Sequence, residues 1–356
     1  MILVLLLLTG GIALFIPPDS EYSQTERRQL ASPPELTLNS LTNGRFFTEA
    51  DEWITDHFKG REQFRRMKAE WQLNILRDSE NDGFAVYDRS IVKLEKEINN
   101  ISLDYASGKL KSVYDTYLSG TNCRVYTSLI PDKSYYLAEH GYPVMDLDSM
   151  EESFYAMFPD AVPVSVKASL SLNDYYLTDS HWRQDRLIRT ANLLLSSMGR
   201  PGDLELDDFD ADSCGPFYGV YAGQSALDPD PDIITYLTGG PISEIIVTDY
   251  PSMQTIPVYD PEGCDRRDLY TLFLGGAKGF LRIENPAVTD GKQLVIFRDS
   301  FGSSIAPLLA ARYSSVTLID TRYFHPSLLK KYISFEDQDV LFLYSATLLN
   351  NSQALN

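Results

Sequence analysis

KQLVIFRDSFGSSIAPLLAARYSSVTLID, residues 292–320, is the stretch whose reading decides the fold. LVIF is an apolar run rich in β-branched and aromatic side chains, which reads as a strand. SIAPLLAARY reads as a helix and SSVTLID as a second strand. A strand, a helix and a strand in succession make a crossover unit, with the two strands parallel in one sheet. The alternation continues on both sides. Downstream, HPSLLKKYI is a helix and DVLFLYS a last strand. Upstream, CRVYTSLIP is a strand ended by Pro131, and PDKSYYLAEHGY is helical. PVMDLDSMEESFYAMF repeats strand then helix, AVPVSVKASLSL is extended chain, and RQDRLIRTANLLLSSMG is a helix closed by Gly199. The predicted fold class is α/β, a doubly wound, mainly parallel sheet with helices on both faces. Ligands of such sheets sit at the carboxyl ends of the strands.

Three other stretches depart from this rhythm. Residues 46–75 carry apolar positions at helical spacing (Phe47, Trp53, Ile54, Phe58, Phe64, Met67, Trp71, Ile75), broken into two pieces at Gly60. DGFAVYDRSIV alternates like a hairpin, and a long helix follows over roughly 94–119, stopping at Gly120. Residues 201–290 form a β-rich insertion punctuated by Pro and Gly, placed to line a substrate cleft. The chain thus divides into an apolar segment at 1–18, a tether at 19–45 and a catalytic domain at 46–356 that contains the insertion.

Residues 1–16, MILVLLLLTGGIALFI, are one apolar run ended by Pro17 and Pro18. The run is shorter than the ~20 residues that comfortably span a bilayer, and no basic n-region precedes it. With a polar tether behind it, the run reads as a signal or membrane anchor whose true start lies upstream. That places the protein outside the cytoplasm, membrane-anchored or secreted. The formal net charge of −19 argues against nucleic acid and anionic lipid as partners. The 22 Tyr against 3 Trp suit stacking on sugars, and equally suit strands and core edges. None of the three cysteines has metal-ligand spacing, and neither a metal nor another cofactor is expected. Cys123 reads as a small buried hydrophobe, while a disulfide between Cys214 and Cys264 is an open option in an exported chain.

Ser300 sits where the strand ending at Arg298 and Asp299 turns into a helix. A hydroxyl there projects into the cleft beside free N–H groups that could hold an oxyanion. The alternative is a plain cap, with Asp299 or Ser300 closing the helix N-terminus. A serine hydroxyl needs a base, and there are only four histidines: His57, His140, His181 and His325. His57, His140 and His325 lie on or at the ends of helices. His181 lies in the polar segment YYLTDSHWRQD, two residues after Asp179, so an extended loop would send both side chains the same way. A carboxylate on one imidazole nitrogen fixes the tautomer that lets the other accept a proton.

TDSHW (178–182) followed by RDSFGSS (298–304) resembles the DHHW family, related to AlgX/AlgJ-type SGNH-hydrolase-like polysaccharide O-acetylation proteins. ERRQLASPP (26–34), NGRFF (43–47), DHFKGREQF (56–64) and LIPDK (129–133) extend the likeness. The family name describes Asp-His-His-Trp, and this sequence has Ser180 at the second position, in place of the first histidine. The resemblance implies an SGNH-like domain with Ser300 as nucleophile, His181 as base and Asp179 as its orienter, and with Trp182 as packing. It implies an O-acetyltransferase acting on an exported polysaccharide, with a membrane-bound acyltransferase as acetyl donor. An acetyl-esterase with the same residues, or a non-catalytic glycan-binding scaffold, are the alternatives. Arg298, Lys133, Arg322 and Tyr344, at predicted strand ends, are the candidate substrate-binding residues.

Overall fold

The computed structural model describes residues 21–250 and 252–356, so the apolar segment at 1–18 lies outside the described residues. Among the described residues fourteen strands occur in chain order: β1 (Tyr22–Ser23), β2 (Arg28–Gln29), β3 (Phe84–Tyr87), β4 (Ser90–Lys93), β5 (Arg124–Ile130), β6 (Val162–Pro163), β7 (Asp210–Phe217), β8 (Asp232–Thr238), β9 (Ile246–Tyr250), β10 (Gln254–Ile256), β11 (Phe280–Glu284), β12 (Gln293–Arg298), β13 (Ser315–Ile319) and β14 (Asp339–Ser345). Eight of them make the central sheet, in the order β10-β9-β11-β13-β12-β14-β5-β6. From β13 to β6 all pairs are parallel, and β11, β9 and β10 extend the far edge antiparallel.

The mainly parallel α/β sheet predicted from 292–320 is therefore present, and its burial explains why it was readable. Parallel strands are covered on both faces, so their sequences run apolar without alternation. Alternate residues of β12 feed two separate cores: Leu294 and Ile296 into one, Val295 and Phe297 into the other. The first core is closed by Ala191, Leu194 and Leu195 of helix Ile188–Ser197 and by Ile305, Leu308 and Leu309 of helix Gly302–Ala310. The second is closed by Leu103, Leu110 and Val113 of helix Asn100–Tyr117 and by Met150 and Phe154 of helix Leu147–Tyr155. Phe297 stacks on Phe342 with centroids 4.7 Å apart, and truncating such a buried ring costs about 3–5 kcal/mol.

Some elements differ from the sequence reading. Residues 143–146 form no strand, because Pro143 cannot donate to a ladder and Asp146 caps the helix that follows. AVPVSVKASLSL contributes only the two-residue β6 before turning into short 3-10 segments. The helix predicted over 94–119 begins at Asn100, where the Asn99 side chain accepts the Ser102 N–H. The β-rich stretch 201–290 is split: β7 and β8 pair as a separate hairpin, whereas β9, β10 and β11 join the central sheet. Residues 21–31 pack against the helices at 45–70, where Arg28 and Arg61 bridge Glu26 and Asp56. Cys214 and Cys264 are free thiols within one apolar cluster, with no disulfide between them. Among the described residues no helix is long and apolar enough to cross a membrane.

Candidate active site

The carboxyl end of β12 sets the position of Ser300. Arg298 pairs with Leu343 of the parallel β14, and the chain then turns into helix Gly302–Ala310. Asp299 holds this turn. Its Oδ1 accepts the Phe301 N–H at 3.0 Å, and its Oδ2 accepts the Ser345 N–H and hydroxyl at 2.8 and 2.6 Å. Asp299 is thus the turn's anchor, and Ser300 is free of capping duty. The Ser300 backbone N–H makes no hydrogen bond among the described residues.

Asp179 and His181 ride on a tight loop closed at its base by the Tyr175–Trp182 bridge and the Tyr176 N–H to His181 carbonyl bond of 3.0 Å. Asp179 Oδ1 accepts from His181 Nδ1 at 2.6 Å and from the His181 N–H at 3.0 Å, while Oδ2 accepts from the Val220 N–H at 2.9 Å. Burial pushes the Asp179 carboxyl up, but the His181 interaction and these bonds outweigh it and hold it well below the usual carboxylate range. An ionised Asp179 accepts only, so the proton sits on Nδ1 and Nε2 is left as acceptor. Ser300 Oγ lies 2.8 Å from that Nε2. The imidazole stacks on Tyr270, centroids 3.8 Å apart at 14°, with Phe301 on its flank.

The four other predicted site residues separate into two pairs. Arg298 and Arg322 line the same cavity as His181 and Ser300, of about 230 Å³. Both turn to Asp320, Arg322 with bonds of 2.9 and 2.6 Å and Arg298 at 3.7 Å. Lys133 and Tyr344 are fully buried and are not among the lining residues. Lys133 Nζ instead donates to the carbonyls of Tyr176 at 2.8 Å and Asp179 at 3.1 Å, with Leu177 at 3.4 Å. It fastens the loop that carries Asp179 from beneath. Burial pushes this ammonium down to about 8, against the carboxylates of Asp179, Asp232 and Asp132. Trp182 is buried, donating to the Phe301 carbonyl and Ser304 Oγ.

Sequence reasoning did not find three further residues. Asp232 on β8 takes the Leu177 and Thr178 N–H groups and the Thr178 hydroxyl at 2.6–2.8 Å. Tyr270 backs the imidazole and bonds Ser304. Asp268 lines the cavity. All three fall in the β-rich stretch, whose only sequence signal was its place between the two motifs. Larger surface depressions, of about 590 and 490 Å³, contain none of Asp179, His181 or Ser300.

The chain is thus an α/β protein with a mainly parallel sheet and with a Ser, a His and an Asp converging at its rim. Residues 168–319 match the DHHW family (DHHW protein), a segment that holds both TDSHW and RDSFGSS. The structure is similar to a DHHW family protein from Eubacterium siraeum, at 19% identity and a TM-score of 0.62, covering 77% of this chain and 95% of that one. It is also similar to PatB1 from Bacillus cereus, at 18% identity and a TM-score of 0.60, covering 76% of this chain and 97% of that one. PatB1 with a sulfonyl adduct gives 18% identity, a TM-score of 0.58 and coverages of 75% and 95%. At these identities the likeness is one of fold. No curated protein matches the sequence.

Proposed function

We propose that this chain is an extracytoplasmic O-acetyltransferase that modifies an exported polysaccharide through a Ser300 acyl-enzyme. The observation that carries the reading is the continuous relay from Asp179 through His181 to Ser300, with contacts of 2.6 and 2.8 Å. In this reading Ser300 Oγ attacks the carbonyl carbon of an acetyl ester or thioester while His181 Nε2 takes its proton. The negative charge on the carbonyl oxygen is met by the Ser300 N–H. The donor's leaving group departs with the proton from Nε2, leaving acetyl on Ser300. A sugar hydroxyl then attacks that carbonyl, again giving its proton to Nε2, and the proton returns to Ser300 as the acetylated sugar leaves. Asp179 stabilises the imidazolium in both halves. The apolar run at 1–16, read as an anchor or signal, supports an extracytoplasmic site and a membrane-bound acyltransferase as donor.

The test is acetyl-ester turnover by purified protein with and without an oligosaccharide acceptor. Ser300→Ala should lower turnover by roughly a thousandfold or more while leaving the fold intact. Undiminished turnover rejects the nucleophile. Ester hydrolysis with no transfer at saturating oligosaccharide assigns water as acceptor and makes the protein an esterase.

A further inference from the structure

The helices at 45–76 carry an apolar stripe that the rest of the described chain leaves uncovered. In helix Arg61–Glu70 and its continuation Trp71–Leu76, the side chains Phe64, Met67, Trp71 and Ile75 are 60%, 65%, 55% and 60% exposed. Their spacing of three, four and four puts them on one face. The other face is the docked one, with Ala69 fully buried and Arg61 and Arg65 half-buried. Helix Arg45–His57 repeats the pattern with exposed Phe47 and Ile54, and Phe58 at its end is exposed too. The Phe58 and Phe64 rings meet edge-on with centroids 5.4 Å apart, so the two stripes join across Gly60. A continuous apolar surface of this kind marks a site of interaction.

Charge and chain path both point to what covers it. Residues 45–77 hold seven Lys and Arg against six Asp and Glu, in a chain of net charge −19. The excess negative charge therefore lies elsewhere, and this region meets lipid headgroups without the repulsion that the rest of the surface brings. Trp, Phe and Met on one face, with the exposed Arg66 and Lys68 among them, is the composition of a helix that lies in the headgroup region. The N-terminal strands lead to the same place. Glu21 accepts the Leu30 N–H at 2.9 Å, and Arg28 and the Ala31 N–H both bond Asp56 of helix Arg45–His57. Only residues 17–20 separate Glu21 from the apolar run at 1–16, a reach of at most about 18 Å from Ile16.

Building on the reading of that run as an anchor, we propose that the stripe from Phe47 to Ile75 is a second membrane contact, lying in the headgroup region of a bilayer. A single anchored run lets the domain swivel, whereas two contacts fix its orientation. The fixed orientation reaches the catalytic loop. Arg65 donates to the carbonyls of Gly223 and Gln224 at 3.3 and 2.6 Å, and Gln224 donates to the Glu26 carbonyl at 3.3 Å. The same short helix, Val220–Ser225, gives the Val220 N–H to Asp179.

The test uses the full chain reconstituted into phosphatidylcholine vesicles. Trp182 is buried and Trp53 half-buried, so the difference between wild type and Trp71→Phe isolates the Trp71 fluorescence. Lipid brominated near the glycerol end of its acyl chains should quench that signal by about half or more, the depth at which interfacial helices lie. Phe64→Glu with Met67→Glu should abolish the quenching, with circular dichroism and urea midpoint unchanged because both side chains are exposed. The proposal is overturned if brominated lipid leaves the Trp71 signal unchanged or if the double variant is quenched like wild type. It is also overturned if aqueous acrylamide is excluded from Trp71 without quenching by bromine, which assigns the face to a second copy or another protein. Flotation with the vesicles reads the anchor separately. Wild type that floats without Trp71 quenching keeps the anchor and removes this inference, and flotation lost in the double variant does the reverse.

Discussion

His181 Nε2 stands 2.8 Å from Ser300 Oγ across 119 positions of sequence. The contact is made by two independently anchored pieces of chain. Asp299 ties the serine turn to Ser345, and Lys133, Asp232 and Val220 tie the histidine loop. Trp182 also ties the two pieces to each other, donating to the Phe301 carbonyl and Ser304 Oγ, so the contact is braced from both sides without substrate.

Asp179→Asn should keep the loop closed but remove the acceptor that sets the imidazole tautomer. An amide can donate to Nδ1, which moves the ring proton to Nε2, where it blocks Ser300. Acetyl-ester turnover should drop on the order of ten-thousand-fold with little change in melting temperature. A loss below about tenfold would show that the Asp179 contact does not govern the base.

Gly219→Ala probes the support of that carboxylate. A Cβ at this position would lie 2.3 Å from Asp179 Cβ and 2.4 Å from the Thr178 carbonyl oxygen, and backbone cannot yield as a flexible side chain does. The variant should lose about 1–3 kcal/mol of stability in urea melts and lose turnover disproportionately. Wild-type turnover would mean that the 178–179 and 219–220 segments separate freely.

Lys133 gives a pH dependence with a definite sign. Its buried ammonium titrates near 8 in the folded protein and at 10.5 ordinarily. Between these values the unfolded chain binds more protons, so stability rises with pH across that window. The full cost of burying the charge, about 3 kcal/mol, is felt below pH 8 and is relieved towards 10.5. Lys133→Met carries no such proton. The stability gap between wild type and variant, from urea melts at pH 7.5 and 9.5, should therefore shift in favour of wild type as pH rises. A gap that stays constant would show that Lys133 does not titrate in this range. Turnover should also fall in Lys133→Met, because three loop carbonyls lose their donor.

Tyr270 separates stacking from hydrogen bonding. Tyr270→Phe keeps the ring against His181 and loses only the 2.8 Å bond to Ser304, about 1 kcal/mol, with turnover within about threefold of wild type. Tyr270→Ala removes the wall behind the imidazole and should cost tenfold or more, on the order of 1.4 kcal/mol. Equal kcat values for the two variants would exclude a positioning role for the ring.

Much of the architecture was readable because burial on both faces leaves a local mark. β5, β12, β13 and β14 appear in the sequence as apolar runs ending in polar residues, and the turn after β12 exposed Ser300 as a candidate. Asp179 and His181 were likewise visible from two-residue spacing in a polar segment. The strands of 246–284 looked like part of a separate insertion, because pairing with β13 is an edge contact that composition does not encode. Lys133 and Tyr344, chosen for their place at strand ends, are oriented into the interior by packing that no motif specifies.

The sequence by itself determined the four long strands of the parallel sheet, β5, β12, β13 and β14, and which side chains are chemically able to act at its rim. Apolar periodicity and residue type are local properties, written within a few positions of each residue. Only the tertiary structure decided that Lys133 serves as a clamp, that Tyr270 and Asp232 frame the histidine loop, and that Asp268 meets Arg27 in the cleft. Those contacts join residues tens to hundreds of positions apart. Their energies depend on distance and burial, quantities that exist only once the chain has closed on itself.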